Sequence, residues 1–518
     1  MASITSSISL ASALGEAPSS PLDVPEIIAE ISKYLSPEDT HMCLFVNKAF
    51  HMVFARLYWQ SVQIGSGRYT PFATPNSVGA NARLVQSLAI QWGPTQVSEP
   101  YLSINFAVLR EFKINVPLRQ RRFLNPSTFN TELSGFLSRH KSTIRVLSMV
   151  NYTFKNSSLV FWKTVSRLQA LSTLDLDNVT LEGSVLGETL FKVFSTLQSL
   201  RLRMVRLVDL NTPIQENGRI VLKRIEIRAC CFDPESLGMM CHLLTVSLSL
   251  RVLMWGTWIE PREKGQTVGT FEPVSDIICR GFPWKDLYQL DINNLAGDVM
   301  VKTVNAIARG IPSLKLTHVT MTEEGKVALL QNIACNLTTV EFKECDGLKS
   351  DMVQDVLCSC KDLLSITVDI PLLSSSIVQS SKPWACSKLR KWKISVQMDK
   401  EDEEDKEGAE SRHGLIFMRL SRLVKLRVLD VSLVYDRSSE GVSFLMFKES
   451  SGVRTLSTLA LMEVLKVRHT GQQLSRGDWE WLLQTFSGLH SIIGFDVASG
   501  DAAEYSDALQ RRAILNSD

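Results

Sequence analysis

Residues 311–345 read IPSLKLTHVTMTEEGKVALLQNIACNLTTVEFKEC, and their spacing decides the fold. The segment opens on Ile311, Leu314 and Leu316 and returns to the same pattern 26 residues later with Leu337, Val340 and Phe342. In each triplet the last two apolar residues are two apart, which puts them on one face of a short strand. Between the triplets, Thr322 followed by Glu323 and Glu324 has the chemistry of a helix start. A hydroxyl accepts a free amide, and acids sit beside the positive end of the helix dipole. Val327, Leu330 and Ile333 then recur at helical spacing and are expected to face inward. One strand and one helix fill one period.

The pattern extends both ways. Upstream lie Leu171-Leu174-Leu176, Leu197-Leu200-Leu202, Leu222-Ile225-Ile227, Leu250-Leu253-Trp255 and Leu287-Leu290-Ile292. Downstream lie Leu363-Ile366-Val368, Leu389-Trp392-Ile394, Leu426-Leu429-Val431 and Leu456-Leu459-Leu461. Weaker copies begin at Val85, Leu109 and Ile144, and one frays at Leu489. A fixed period in this range is the mark of leucine-rich repeats. The expected fold class is α/β: parallel strands on a concave face, helices on the convex one. No copy can bury its leucines alone, so only the stack is stable. Ser350 is expected to cap a helix burying Met352, Val353, Val356, Leu357 and Cys360, and Asp478 one burying Trp479, Leu482, Leu483 and Phe486. Cys345 reads as a buried loop residue.

The solenoid is expected over residues 66–518. Its longer intervals hold an acidic loop near 399–410, a polar stretch Glu260–Gly265 and a basic cluster of Arg119, Arg121 and Arg122. Each is expected to be solvated surface.

Residues 22–65 break the pattern. Pro25 suits a first helical turn, Ile27, Ile28, Ile31 and Leu35 recur at helical spacing, and Pro37 ends the run. Ser36 with Glu38 and Asp39 opens a second helix bearing Cys43, Leu44 and Val46. A third carries Phe50, Val53, Phe54 and Leu57 and ends at Trp59. Three short helices in about 40 residues make a marginal core, and apolar residues fall on more than one face of the first. Part of that surface needs a partner.

The order Val24-Pro25-x-Ile27-Ile28, Ile31, Tyr34-Leu35, Asp39, Cys43, Val46, Phe50 and Leu57-x-Trp59 resembles the F-box pattern. Two positions depart from it: Val24 stands for the usual Leu, and Thr40 for an aliphatic residue. The resemblance implies an F-box over residues 21–65; the Ser- and Ala-rich stretch at 1–20 is expected, from its composition, to be a disordered leader. The resemblance further implies docking on a Skp-type adaptor, and through it a cullin, by Val24, Pro25, Ile28, Ile31, Leu35, Cys43, Val46, Phe50 and Trp59. The chain would then be the substrate-recognition subunit of an SCF-type ubiquitin ligase, its repeats holding a client protein. The alternative is an interaction scaffold or inhibitor whose N-terminal helices only cap the stack.

Composition sets the bounds. Charged residues are 21% and hydrophobic ones 45% of 518, typical of a folded chain, and the net charge of +2 drives it onto neither nucleic acid nor membrane. Ten dispersed cysteines without a C-x-x-C pair point to a reducing, intracellular compartment, cytoplasmic or nuclear. On that expectation the N-x-[ST] triplets at Asn151, Asn178 and Asn336 carry no weight. No phosphate-binding loop, H-E-x-x-H or G-x-S-x-G motif occurs, so no enzyme activity, cofactor or metal is expected. The outward strand positions instead suggest recognition. Thr173, Asp175 and Asp177 are followed by Ser199, Arg201 and Arg203, then by Arg224, Glu226 and Arg228. Arg201, Arg203, Arg224 and Arg228 are the candidate client-binding residues, their chemistry suited to carboxylates or phosphates. Lys391 and Lys393 add a more distant pair.

Overall fold

The structure, a computed structural model, describes residues 24–495 apart from 66–72, 93–98, 119–125, 211–219, 257–271, 282–283, 296, 308–310, 333–335, 400–405, 433–443, 449–450, 469, 471 and 473. The expected leader at 1–20, the basic cluster at Arg119–Arg122 and the stretch Glu260–Gly265 lie outside the described residues. The chain forms two compact units, Met1–Ile220 with Cys231–Leu243, and Val221–Cys230 with Leu244–Asp518.

The first unit begins with helices α1 (Pro25–Ser32), α2 (Pro37–Cys43) and α3 (Lys48–Gln60). Their starts follow from local chemistry. Ser36 Oγ accepts the Asp39 amide at 3.1 Å, and Asn47 Oδ1 accepts that of Phe50 at 2.8 Å. Helix α3 runs directly into the strand Ser61–Ile64, which pairs in parallel with Ser87–Gln91. Residues 61–64 therefore belong to the repeat sheet, which starts earlier than residue 66. Their signal was present: Trp59-x-x-Val62-x-Ile64 has the repeat spacing.

Further parallel strands follow at Glu111–Asn115, Val146–Val150, Thr173–Asp177 and Ser199–Arg203. One register position carries Val62, Leu88, Phe112, Leu147, Leu174 and Leu200, all buried. Each such side chain is worth roughly 1.5–3 kcal/mol of burial. On the other side, helix Leu186–Thr196 buries Leu186, Leu190, Val193 and Phe194 at the spacing of one face. Asn151 and Asn178 leave their strands in the left-handed region, a conformation asparagine tolerates. Their side chains form a ladder: Asn178 Nδ2 donates to Asn151 Oδ1 at 2.8 Å, and Asn151 Nδ2 to Asn115 Oδ1 at 3.0 Å.

The second unit continues the motif with parallel strands from Arg224–Arg228 through Lys391–Lys393 to Ser491–Ile493. Ile225, Leu253, Leu290, Leu314, Val340, Ile366, Trp392, Leu429 and Leu465 fill the inward position. The fold is the strand–helix stack of a leucine-rich-repeat solenoid, as the spacing predicts. No helix among the described residues is long and apolar enough to cross a membrane.

Four local expectations are corrected. The repeat assigned to Leu456-Leu459-Leu461 is out of phase. Residues Val453–Thr458 form a 3-10 helix, Leu461 is exposed, and the strand is Val464–Lys466, paired with Val428–Asp430. In the helix Glu323–Asn332, Gly325, Ala328 and Leu329 face inward while Val327 is exposed; Ile333 lies outside the described residues. Thr322 does cap it, accepting the Gly325 amide at 3.1 Å. Ser350 begins its helix without capping it and accepts the Leu373 amide of the next repeat at 2.8 Å. Ser475 is the cap of the helix Arg476–Thr485, with Asp478 as its capping-box partner.

The acidic segment also differs from the expected loop. Lys406–Glu410 is already helical, within Lys406–Ser421. Asp399 reaches back to the helix Ser374–Gln379, accepting from Ser374 Oγ at 2.5 Å and the Ser375 amide at 2.6 Å. Burial raises the Asp399 pKa, but the Ser374 and Ser375 hydrogen bonds outweigh it and hold the carboxyl below its usual range. Asp399→Ala should cost about 0.5–2 kcal/mol, the loss of a helix cap. A depressed carboxylate stabilises above its unfolded pKa and is lost as pH falls through its folded value. The stability difference between wild type and variant should therefore shrink below about pH 4, measurable by thermal unfolding in an acid pH series.

His413 supplies a second acid-sensitive element. It is buried in the helix Lys406–Ser421, with Nδ1 accepting the Met446 amide at 3.4 Å. Burial pushes its pKa down to about 4. The unfolded chain takes up a proton near the ordinary value of about 6.5, so stability should fall as pH drops from there to about 4. A His413→Gln variant should be less stable at neutral pH yet flatter across that window in the same scans.

Candidate interaction surfaces

The first surface is the N-terminal bundle. Ile28 lies at 0% exposure, with Phe54 and Tyr58 also buried against it or nearby in the bundle core. The remaining large apolar residues cannot all fit into so small a core. Ile27, Tyr34, Met42, Phe45, Val46 and Met52 stay exposed, Tyr34 at 78% and Phe45 at 72%. Of the residues the F-box resemblance points to, Val46 is exposed, and Val24, Ile31, Leu35, Cys43, Phe50 and Trp59 are half-buried. Pro25 stands in the first turn of α1. Ile28 is core, not contact surface, because the inward face of α1 points it at α3. Tyr34, Met42, Phe45 and Met52 carry more exposed apolar surface than most of the expected contacts. Only the packing reveals them, because helical spacing alone makes them equal candidates for the interior.

The second surface is the outward face of the strands. In the first unit, parallel register aligns Lys113, Ser148, Asp175 and Arg201 in one row, and Asn115, Val150, Asp177 and Arg203 in another. Arg203 Nη2 lies 3.4 Å from Asp175 and 3.8 Å from Asp177. In the second unit, Glu226 is nearly buried between two arginines. Arg228 Nε is 2.8 Å from one of its oxygens and Arg224 Nη2 3.2 Å from the other. The candidate arginines thus fall as Arg201 with Arg203 in one unit and Arg224 with Arg228 in the other. Arg203, Arg224 and Arg228 each already have an acidic partner.

Within the second unit one row runs Glu226, Met254, Asp291, Lys315, Glu341, Thr367, Lys393, Asp430 and Lys466. Burial pushes the Asp291 carboxyl up against the opposing pull of Lys315 and Arg228. Burial also acts on Glu341, but Lys343 at 2.6 Å and Lys315 at 3.1 Å outweigh it and hold its pKa down. Alternating signs along a strand face give a surface that selects partners by charge pattern more than by net attraction.

Cys345 is buried as expected, its thiol donating toward the Lys343 and Leu316 carbonyls, and burial raises its pKa to about 11. No group of three or more metal-ligating side chains occurs among the described residues.

No family model and no curated protein sequence matches the chain. Solved structures do match. One is an internalin from Listeria monocytogenes, 12% identical, with 74% of this chain and 87% of that one covered at a TM-score of 0.35. The assignment to a leucine-rich-repeat solenoid rests on the strand register and period described above.

Proposed function

We propose that this chain is a non-catalytic substrate receptor of a cullin-type ubiquitin ligase, acting inside the cell. The three-helix segment docks a Skp-type adaptor, and the outward strand face holds a client protein. The observation that carries the reading is the exposure of Ile27, Tyr34, Met42, Phe45, Val46 and Met52 on three short helices. Large apolar side chains gathered in one short segment mark a protein contact. A helical cap serving only the repeats would need apolar residues on its repeat-facing side alone.

Around those six, Val24, Pro25, Ile31, Leu35, Cys43, Phe50 and Trp59 complete the proposed adaptor contact. On the client side, Arg201 with Arg203 and Arg224 with Arg228 supply orienting charges. The receptor contributes proximity; the transfer chemistry belongs to other subunits. The test is co-purification of the full chain with a Skp-type adaptor and cullin. A stoichiometric complex is expected. Its absence would leave the chain an interaction scaffold built on the same solenoid.

A further inference from the structure

Most cations on the strand face of the second unit are already matched: Arg224 and Arg228 by Glu226, and Lys315 and Lys343 by Glu341. An incoming acid there must compete with a fixed internal one. Three cations differ. Lys391 and Lys393 on one strand, and Lys466 two strands further along the register, have no acidic partner within ion-pair distance among the described residues. The nearby acids are committed elsewhere. Glu463 pairs with Arg427 at 3.0 Å and Asp362 with Lys388 at 2.6 Å. Asp430, between Lys393 and Lys466 in register, is nearly buried, and its Oδ1 accepts the Ser432 amide at 3.1 Å. Three lysines against one nearly buried aspartate leave a net positive field.

We infer that Lys391, Lys393 and Lys466 form the acceptor for an acidic peptide segment of the client. The inference rests on the reading that the strand face receives the client. It moves the electrostatic contact from the internally paired arginines to the unpaired lysines. Geometry sets the partner's pattern. Two strand spacings put Lys393 and Lys466 about 10 Å apart, and a peptide in the polyproline II conformation rises about 3.1 Å per residue and returns to the same face every third residue. A segment laid across the strands therefore meets both lysines with carboxylates three residues apart. Lysine suits this role as a mobile point charge that adapts to carboxylates in several orientations.

The test uses the full chain and a fluorescein-labelled peptide of four Glu-Ser-Gly repeats, read by fluorescence anisotropy at low and physiological salt. Wild type should bind, more weakly at higher salt, because exposed charges are screened within about 8–10 Å. Lys391→Glu/Lys393→Glu/Lys466→Glu should weaken binding by about tenfold or more. The neutral Gln triple variant should fall between the two, and it decides the matter if the Glu variant is poorly folded. Lys349→Gln, whose lysine is already paired with Glu323 at 3.0 Å away from the strand face, should change binding less than threefold. Unchanged binding in both lysine variants overturns the proposal, as does no binding by wild type. Binding that emerges only when Glu401–Asp405 is removed also overturns it, since the occupant is then the chain's own acidic run. Adaptor co-purification measured on the same samples separates the two readings. Its loss with peptide binding intact rejects the ligase role alone, and the reverse rejects only this site.

Discussion

Replacing Phe45 and Val46 together by Asp is expected to abolish capture of a Skp-type adaptor while leaving the thermal midpoint and far-UV circular dichroism at wild-type values. Both side chains are exposed. Surface substitutions away from special features change stability by only about 0.5 kcal/mol. In a complex the same residues would be buried, where a central apolar contact is worth about 2 kcal/mol or more and two charges would remain without partners. The control is Ile28→Asp. That side chain is fully enclosed, so a carboxyl there must take up a proton to stay in the core, at the cost of a buried polar group, or else unfold the bundle. It should lose adaptor binding and helix content together. A Phe45→Asp/Val46→Asp protein that still captures the adaptor would place the docking contact away from these two residues, whatever Ile28→Asp does.

The second large effect is on stability. Trp392→Ala should destabilise the second unit by about 3–5 kcal/mol, the usual cost of emptying a buried aromatic site. Trp392 is fully buried, its ring centroid 5.0 Å from that of Trp384, and its Nε1 donates to the Ile394 carbonyl at 2.9 Å. Trp384 is itself tied to the neighbouring repeat through Gln354 Oε1 at 2.9 Å. The cavity therefore loosens contacts between repeats as well as within one. A thermal midpoint lower by on the order of 10 °C follows, with a broader transition if the repeats uncouple. Trp392→Phe should cost less, leaving the Ile394 carbonyl without its donor. A midpoint within a degree of wild type for the Ala variant would mean this residue does not couple the stack.

The repeat phase was legible because a strand burying one face must place apolar residues two apart, and a stacked strand–helix unit must repeat at a near-constant length. Most of the inward residues, from Leu88 to Leu429, could be read that way. The three helices of the N-terminal segment were legible through Pro25, Ser36 and Pro37. The exposure that makes that segment a candidate site was not, since spacing cannot rank Ile28 against Ile27 or Phe45 for the few interior places.

Local pattern by itself determined the architecture, because hydrophobic periodicity is a property of neighbouring residues along one chain. Tertiary packing alone decided the rest. Leu456-Leu459-Leu461 and Met462-Leu465-Val467 have the same spacing, and only hydrogen bonding to Val428–Asp430 selects the second as strand. Likewise Arg203 looks no different from Lys393 until the fold sets Asp175 and Asp177 at 3.4 and 3.8 Å from its guanidinium, whereas Asp430, the register neighbour of Lys393, is nearly buried and makes no ion pair with it. Arg224 and Arg228 find Glu226 on their own strand. Charge pairing depends on which residues lie about 5 Å away across neighbouring strands, and that distance is set by contacts between residues some 25 or more positions apart in sequence.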